Sequence, residues 1–320
     1  MLGDARITLK LYRFELLVTV VACLLAGAAA TILGRQLASL APSPDCIHLT
    51  SGGPIFGSDM ARCPSLAGFS SINGIAGPVL AAFGVLPFFA GALVGSQLVA
   101  REVDHRTAQL AWSLATVRRR WLFDRVAPPL VILAITLTVA AVASAYLEAG
   151  RVPALQISSG FHDYGLWGPL LIFRGVAALG IGVLIGAVVG RVLPSLLLTG
   201  AICGVMFLAL PVASTLAQPL VPLVSDQTSA TEYPLSVSSG WKAADGRFLS
   251  QDEARALVPP DASGPGQAEG WLSAHFELVN LGIPGSRMPE VAGREAIALL
   301  LVGLAGVAIA ALVLDRRRPY

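Results

Sequence analysis

The chain has 320 residues, of which 55% are hydrophobic and 13% charged, and its mean hydropathy is +0.71. Soluble domains carry about 25% charged residues, so the composition excludes a purely soluble enzyme and, equally, a disordered chain. The formal net charge is +2, and no basic run is long enough to suggest nucleic-acid binding.

A bilayer span needs about 20 mostly apolar residues. Six stretches meet that length, at 16–33, 75–99, 126–147, 169–189, 195–217 and 296–314. The expected fold is an all-α polytopic membrane protein, because lipid offers no partner for unpaired backbone groups. The segment before the first span carries Arg6, Lys10 and Arg13, and Ala28-Ala29-Ala30 resembles a signal cleavage site. Five further spans favour an uncleaved first helix. Residues 34–74 follow as a Pro/Ser/Gly-rich loop holding Cys46 and Cys63. A disulfide between them would suit an oxidising compartment; two free thiols are the alternative.

Arg and Lys favour the cytoplasmic face. The segments 1–15, 100–125, 190–194 and 315–320 hold 13 of the 22 basic residues, although they are much shorter in total than the segments on the other side. Both termini are therefore expected in the cytoplasm, with 34–74 and 218–295 outside. Gly91 and Gly95, Gly182 and Gly186, and Gly200 and Gly204 sit four apart in spans two, four and five, the spacing of a close helix-packing face.

The cytoplasmic stretch 100–125 is the most patterned. Leu110, Leu114, Val117 and Trp121 fall on one helical face. Arg118, Arg119 and Arg120 suit its C-terminal end, and Arg101, Glu102 and Asp104 mark where span two ends. An amphipathic helix at the membrane surface or against a partner is expected. Arg174 is the single charge within a span, and the short loop before it contains His162 and Asp163. Arg174 is expected to reach outward, toward Glu148.

Residues 218–295 form the long outer segment. Ser250 and Glu253 make a capping box, Pro259-Pro260 stops that helix, and 261–267 reads as a linker. Residues 271–281 are apolar enough to lie on the bundle or dip into the outer leaflet. A small ordered external cap is expected. There is no Gly-Lys-Ser/Thr phosphate loop, no His-Glu-x-x-His pair and no Gly-x-Ser-x-Gly elbow.

The run from Ala100 to Leu122 resembles permease subunits of ABC transporters of the type-2 exporter class, in the form common in actinobacteria. The matching residues are Ala100-Arg101-Glu102, Thr107, Leu110-Ala111-Trp112 and Arg118-Arg119-Arg120-Trp121-Leu122. A weaker match is Pro284-Gly285-Ser286-Arg287 before the last span. Arg106 stands where the family often has Gly, and Met288-Pro289 replace its usual aromatic residues. The resemblance implies two permease units, as two copies or a homologous pair, with two separate ABC ATPase subunits in a plasma membrane. It implies that Arg101, Glu102, Asp104, Thr107, Leu110, Trp112, Leu114, Arg118 and Trp121 dock the ATPase as a coupling helix. ATP and Mg would then act on the partner, with no cofactor or metal in this chain. Few charges line the spans, which suits an amphiphilic or hydrophobic substrate. The rival readings are a membrane-embedded enzyme with His162 and Asp163 on its outer face, and an anchor or sensor that recruits an ATPase.

Overall fold

The computed structural model describes residues 9–43, 46, 63–104, 118–152, 160–216, 218–223, 233–260, 264 and 267–316. It is mostly helical. Six of its helices are long and apolar enough to cross a membrane: α1 (Arg13–Ser39), α2 (Ser65–Asp104), α3 (Arg118–Arg151), α4 (Leu170–Val189), α5 (Val192–Thr215) and α8 (Met288–Arg316). Each contains or nearly coincides with an expected span. The 40 residues of α2 rise about 60 Å, twice a bilayer core, so the helix continues past the apolar stretch at both ends. Its two prolines, Pro78 and Pro87, lie within the helix, as do Pro128 and Pro129 of α3 and Pro211 of α5.

The chain divides into two compact units. The first is Met1–Pro153 with Asp163–Val212 and Ala292–Tyr320, and the second is Ala154–His162 with Ala213–Val291. In the first unit α2 packs most extensively on α4, and α1 on α3. The core between them is aliphatic, with Leu98, Leu122, Leu133, Leu137, Leu179 and Val183 buried together. Cys46 and Cys63 are joined by a disulfide with Cα atoms 6.2 Å apart, and both pack on Leu66.

Glycine makes the α2–α4 contact possible. A Cβ on Gly91 would stand 2.7 Å from Ala178 Cβ, and one on Gly182 would stand 2.7 Å from Ser96 N. Gly186 meets Ser96 O at the same distance, and Gly95 lies on the Leu179 backbone. Four of the six spaced glycines thus serve one interface. Gly200 and Gly204 do not, for an added Cβ there meets nothing within 4 Å. Spacing alone could not separate these cases, because it does not say which face a neighbour covers. Gly95→Ala is expected to cost about 1–3 kcal/mol by overpacking against backbone that cannot yield. Gly204→Ala should leave the fold unchanged, and thermal melting in detergent compares the two.

The segment expected as a long outer loop is more structured than the sequence reading provided for. The strands β1 (Val221–Leu223), β2 (Leu235–Lys242), β3 (Phe248–Ser250) and β4 (Glu277–Ile283) form an antiparallel sheet in the order β1-β4-β2-β3. The all-α description therefore holds for the spans and not for this unit. Two short helices, α6 (Gln251–Ala256) and α7 (Gln267–His275), pack on the sheet around Trp241, Ala254 and Leu272. The apolar run 271–281 is not one surface helix: it divides between α7 and β4. Its Leu272 and Val279 are buried, and Leu272 fills this unit's own core.

The expected capping box is present. Glu253 N donates to Ser250 Oγ at 3.3 Å, and Ser250 N donates to Glu253 Oε2 at 2.8 Å. The backbone bond from Ser250, then its hydroxyl, hold the Glu253 carboxyl below its usual range. A depressed folded-state pKa stabilises the helix above the unfolded pKa, about 4.3. That contribution is lost as pH falls through the folded value. Helix α6 is therefore expected to fray as pH falls below the ordinary glutamate range, and Glu253→Gln should flatten the pH dependence of amide exchange in 251–256.

Candidate functional site

Three helices meet where the chain leaves α2 and returns into α3. Residues 105–117, with the predicted coupling residues Thr107, Leu110, Trp112 and Leu114, lie outside the described residues, as does the Arg118 side chain. The stems on both sides are described.

Glu102, in the last turn of α2, is buried. Its Oε1 lies 2.9 Å from Arg125 Nη1, on the second turn of α3. A carboxylate taken out of water needs such a partner. The Arg125 guanidinium also stands 5.7 Å from the centre of the Trp121 ring. Arg101 turns to α1, where its Nη1 lies 3.4 Å from Glu15 Oε1 and donates to Leu11 O at 3.2 Å. Tyr12 donates to Leu98 O at 3.0 Å. Burial, then the nearby Glu102 carboxylate, hold the Tyr12 hydroxyl above its ordinary range, so it remains a donor. Asp104 is exposed.

The structure thus brings together three of the expected residues, Arg101, Glu102 and Trp121, and adds Tyr12, Glu15 and Arg125. Sequence reasoning passed over these three. One signal was available for Arg125: a buried acid at a span end requires a base, and Arg125 stands just before the next span. No pattern pointed to Tyr12 or Glu15, which act across nearly 90 residues.

A second polar cluster sits at the opposite ends of the helices. Arg174 does not reach Glu148. Its Nη2 lies 2.8 Å and its Nε 3.2 Å from Glu295 Oε1 at the start of α8. Arg174 Nη1 also donates to Gly165 O. Arg174 is 3% exposed and Glu295 8%, so the pair is sealed from solvent within the protein. Tyr164 completes the cluster, donating to Glu295 Oε2 at 3.0 Å. Burial, then Glu295, push the Tyr164 hydroxyl upward, which keeps it protonated. Gly165 adopts φ +80°, and a Cβ there would collide with the Arg174 guanidinium, so only glycine lets the carbonyl turn inward.

Glu148 has a nearer cation, Arg151, at 3.1 Å along the same helix. Arg151 also pairs with Asp163 and donates to Asn73 Oδ1 at 2.9 Å. Asp163 is therefore an ion-pair partner of the first unit. The His162 ring packs edge-on against Tyr233 in the second, with centroids 5.1 Å apart. These contacts give each residue a structural partner.

Helix α5 is fastened along one narrow stripe. Ser195, Thr199 and Cys203 are buried, and Phe207 meets Phe88 of α2 edge-on at 6.2 Å. Most of the other described residues of α5, including Leu197, Leu208 and Gly204, are exposed.

Residues 16–214, well over half the chain, match the model of a family described as ABC-2 membrane transporter related. No curated protein and no solved structure matches the chain. The matched region covers nearly all of the first five long helices and both stems described above, and the sixth follows it. The chain therefore belongs to the ABC-2 membrane transporter related family, a multi-pass permease that forms the membrane component of a transporter rather than an enzyme in its own right.

Proposed function

We propose that the protein is the permease subunit of an ATP-driven exporter, powered by a separate ABC ATPase that docks on residues 100–125. The observation that carries this reading is the Glu102–Arg125 ion pair. It ties the two stems of the loop together, and Arg101 ties them to α1. A push on the loop is then delivered to three helices at once instead of being absorbed by a slack connection. The positive-inside bias sets this loop and both termini in the cytoplasm. The disulfide on the opposite loop fits an oxidising exterior. The membrane is then the plasma membrane.

A second permease copy, or a homologous permease, covers the open face of α5. Gly200 and Gly204 allow close approach there, and the neighbouring Leu197 and Leu208 supply apolar area. The pathway runs between the two permeases beside α2 and α5 and carries an amphiphilic or hydrophobic molecule. Gly204→Cys is expected to allow crosslinking of two copies in membranes, and Gly204→Trp should reduce dimer recovered in mild detergent.

The decisive experiment is purification from membranes in mild detergent with identification of what remains bound. An ABC ATPase in equal stoichiometry supports the proposal. Its repeated absence, with the permease folded and dimeric, overturns it.

A further inference from the structure

The second unit holds a cavity that the transport reading leaves unused. It measures about 590 Å³ and opens between β2, β4, α6 and α7. Pockets for drug-sized ligands span roughly 300–1,000 Å³, so this one accepts a molecule larger than a single amino acid. Its floor is apolar. Trp241 and Leu272 lie there almost wholly buried, and Leu278 adds an exposed aliphatic side chain. Leu278 is 58% exposed, an uncovered apolar residue lining the hollow.

The polar lining is what narrows the ligand. Arg255 projects from α6 and Glu269 from α7, so one cation and one anion line the same cavity from different helices. Neither side chain has an ion-pair partner among the described residues, whereas in the same unit Lys242 pairs with Glu277 and Arg247 with Asp245. Two unpaired opposite charges lining one hollow each disfavour a simple ion of their own sign. A ligand carrying both charges satisfies both sides. An uncharged sugar would leave them unused.

Neutral groups complete the lining. Gln251 Nε2 donates to Ser239 Oγ at 3.2 Å, which fixes that amide beside the cavity. Asn280 lines it as well, and both side chains suit a peptide group.

We propose that this cavity is a binding site for short zwitterionic peptides with an apolar side chain, the carboxylate held by Arg255 and the ammonium by Glu269. The apolar side chain lies over Leu278 and Trp241. The site is a property of the second unit alone and stands whether or not an ATPase docks on residues 100–125.

The test uses the full chain in detergent or nanodiscs and follows tryptophan fluorescence and calorimetry. The probes are leucyl-leucine, its N-acetyl form, its C-terminal amide, and glycerophosphoethanolamine. Leucyl-leucine is expected to bind at least tenfold more tightly than either blocked form. Arg255→Gln should abolish discrimination against the amide alone, and Glu269→Gln discrimination against the acetylated form alone. Both positions are exposed, so the variants should fold, and an unchanged melting temperature verifies this. Three results would overturn the proposal. They are no binding of leucyl-leucine, equal binding of free and blocked peptides, and binding of glycerophosphoethanolamine alone, which would assign the site to a lipid headgroup.

Discussion

Glu102→Ala is expected to separate the permease from its ATPase while the protein still inserts. Removing one member of a buried ion pair costs about 3–5 kcal/mol, because the other charge is stranded. Here the Arg125 side chain keeps 18% exposure, so water recovers part of that cost and the lower figure applies. If about half of it falls on the docking geometry, ATPase binding weakens roughly tenfold, since each 1.4 kcal/mol is a factor of ten. Arg125→Ala should do the same from the other stem. The double change Glu102→Arg with Arg125→Glu restores an ion pair in reverse and should recover much of the binding. Copurified ATPase, measured against permease recovered from the membrane fraction, reads all three. Normal ATPase recovery with Glu102→Ala would remove the bracing role of this pair. Failure of the reversed pair, with the single variants defective, would mean that another contact fixes the orientation.

The larger effect on stability is expected at the opposite end. Arg174→Ala leaves the Glu295 carboxylate buried with only the Tyr164 hydroxyl, and Glu295→Ala leaves the Arg174 guanidinium with only Gly165 O. Each should lose about 3–5 kcal/mol. That is a large share of the roughly 5–15 kcal/mol that holds a typical domain together. Replacing both together, Arg174→Met with Glu295→Leu, removes both desolvation costs and should recover most of the loss. Melting temperature in detergent separates these outcomes. If the double variant is as unstable as the singles, the Tyr164 and Gly165 contacts are what matter. Glu148→Ala should not reproduce the Arg174→Ala defect, because Glu148 belongs to the Arg151 group.

Much of the architecture was legible in the residues. The six helices were readable because membrane crossing is set by local length and hydropathy, and both are sequence properties. The capping box at Ser250 was readable for the same reason, since its groups lie three residues apart. The alternation Leu235-Ser236-Val237-Ser238 is also a strand signal, but it is short and lies in a segment otherwise rich in polar residues, so the sheet went unpredicted. The Trp271–Leu281 run misled because a short apolar stretch has the same composition on a membrane surface as in a small core.

The sequence by itself determined that the chain crosses a membrane, which loop is basic, and where the polar residues at the span ends lie. The tertiary structure decided who meets whom. The sequence reading expects Arg174 to reach Glu148, yet it pairs with Glu295, 121 residues away, because α8 is the helix that passes beside α4. The same holds for Glu102 with Arg125, and for the glycines. Gly95 and Gly204 occupy equivalent patterns, but only Gly95 has a helix against it. In lipid, a face that packs on protein and a face that meets acyl chains are equally apolar. Composition therefore cannot tell them apart, and only the assembled bundle does.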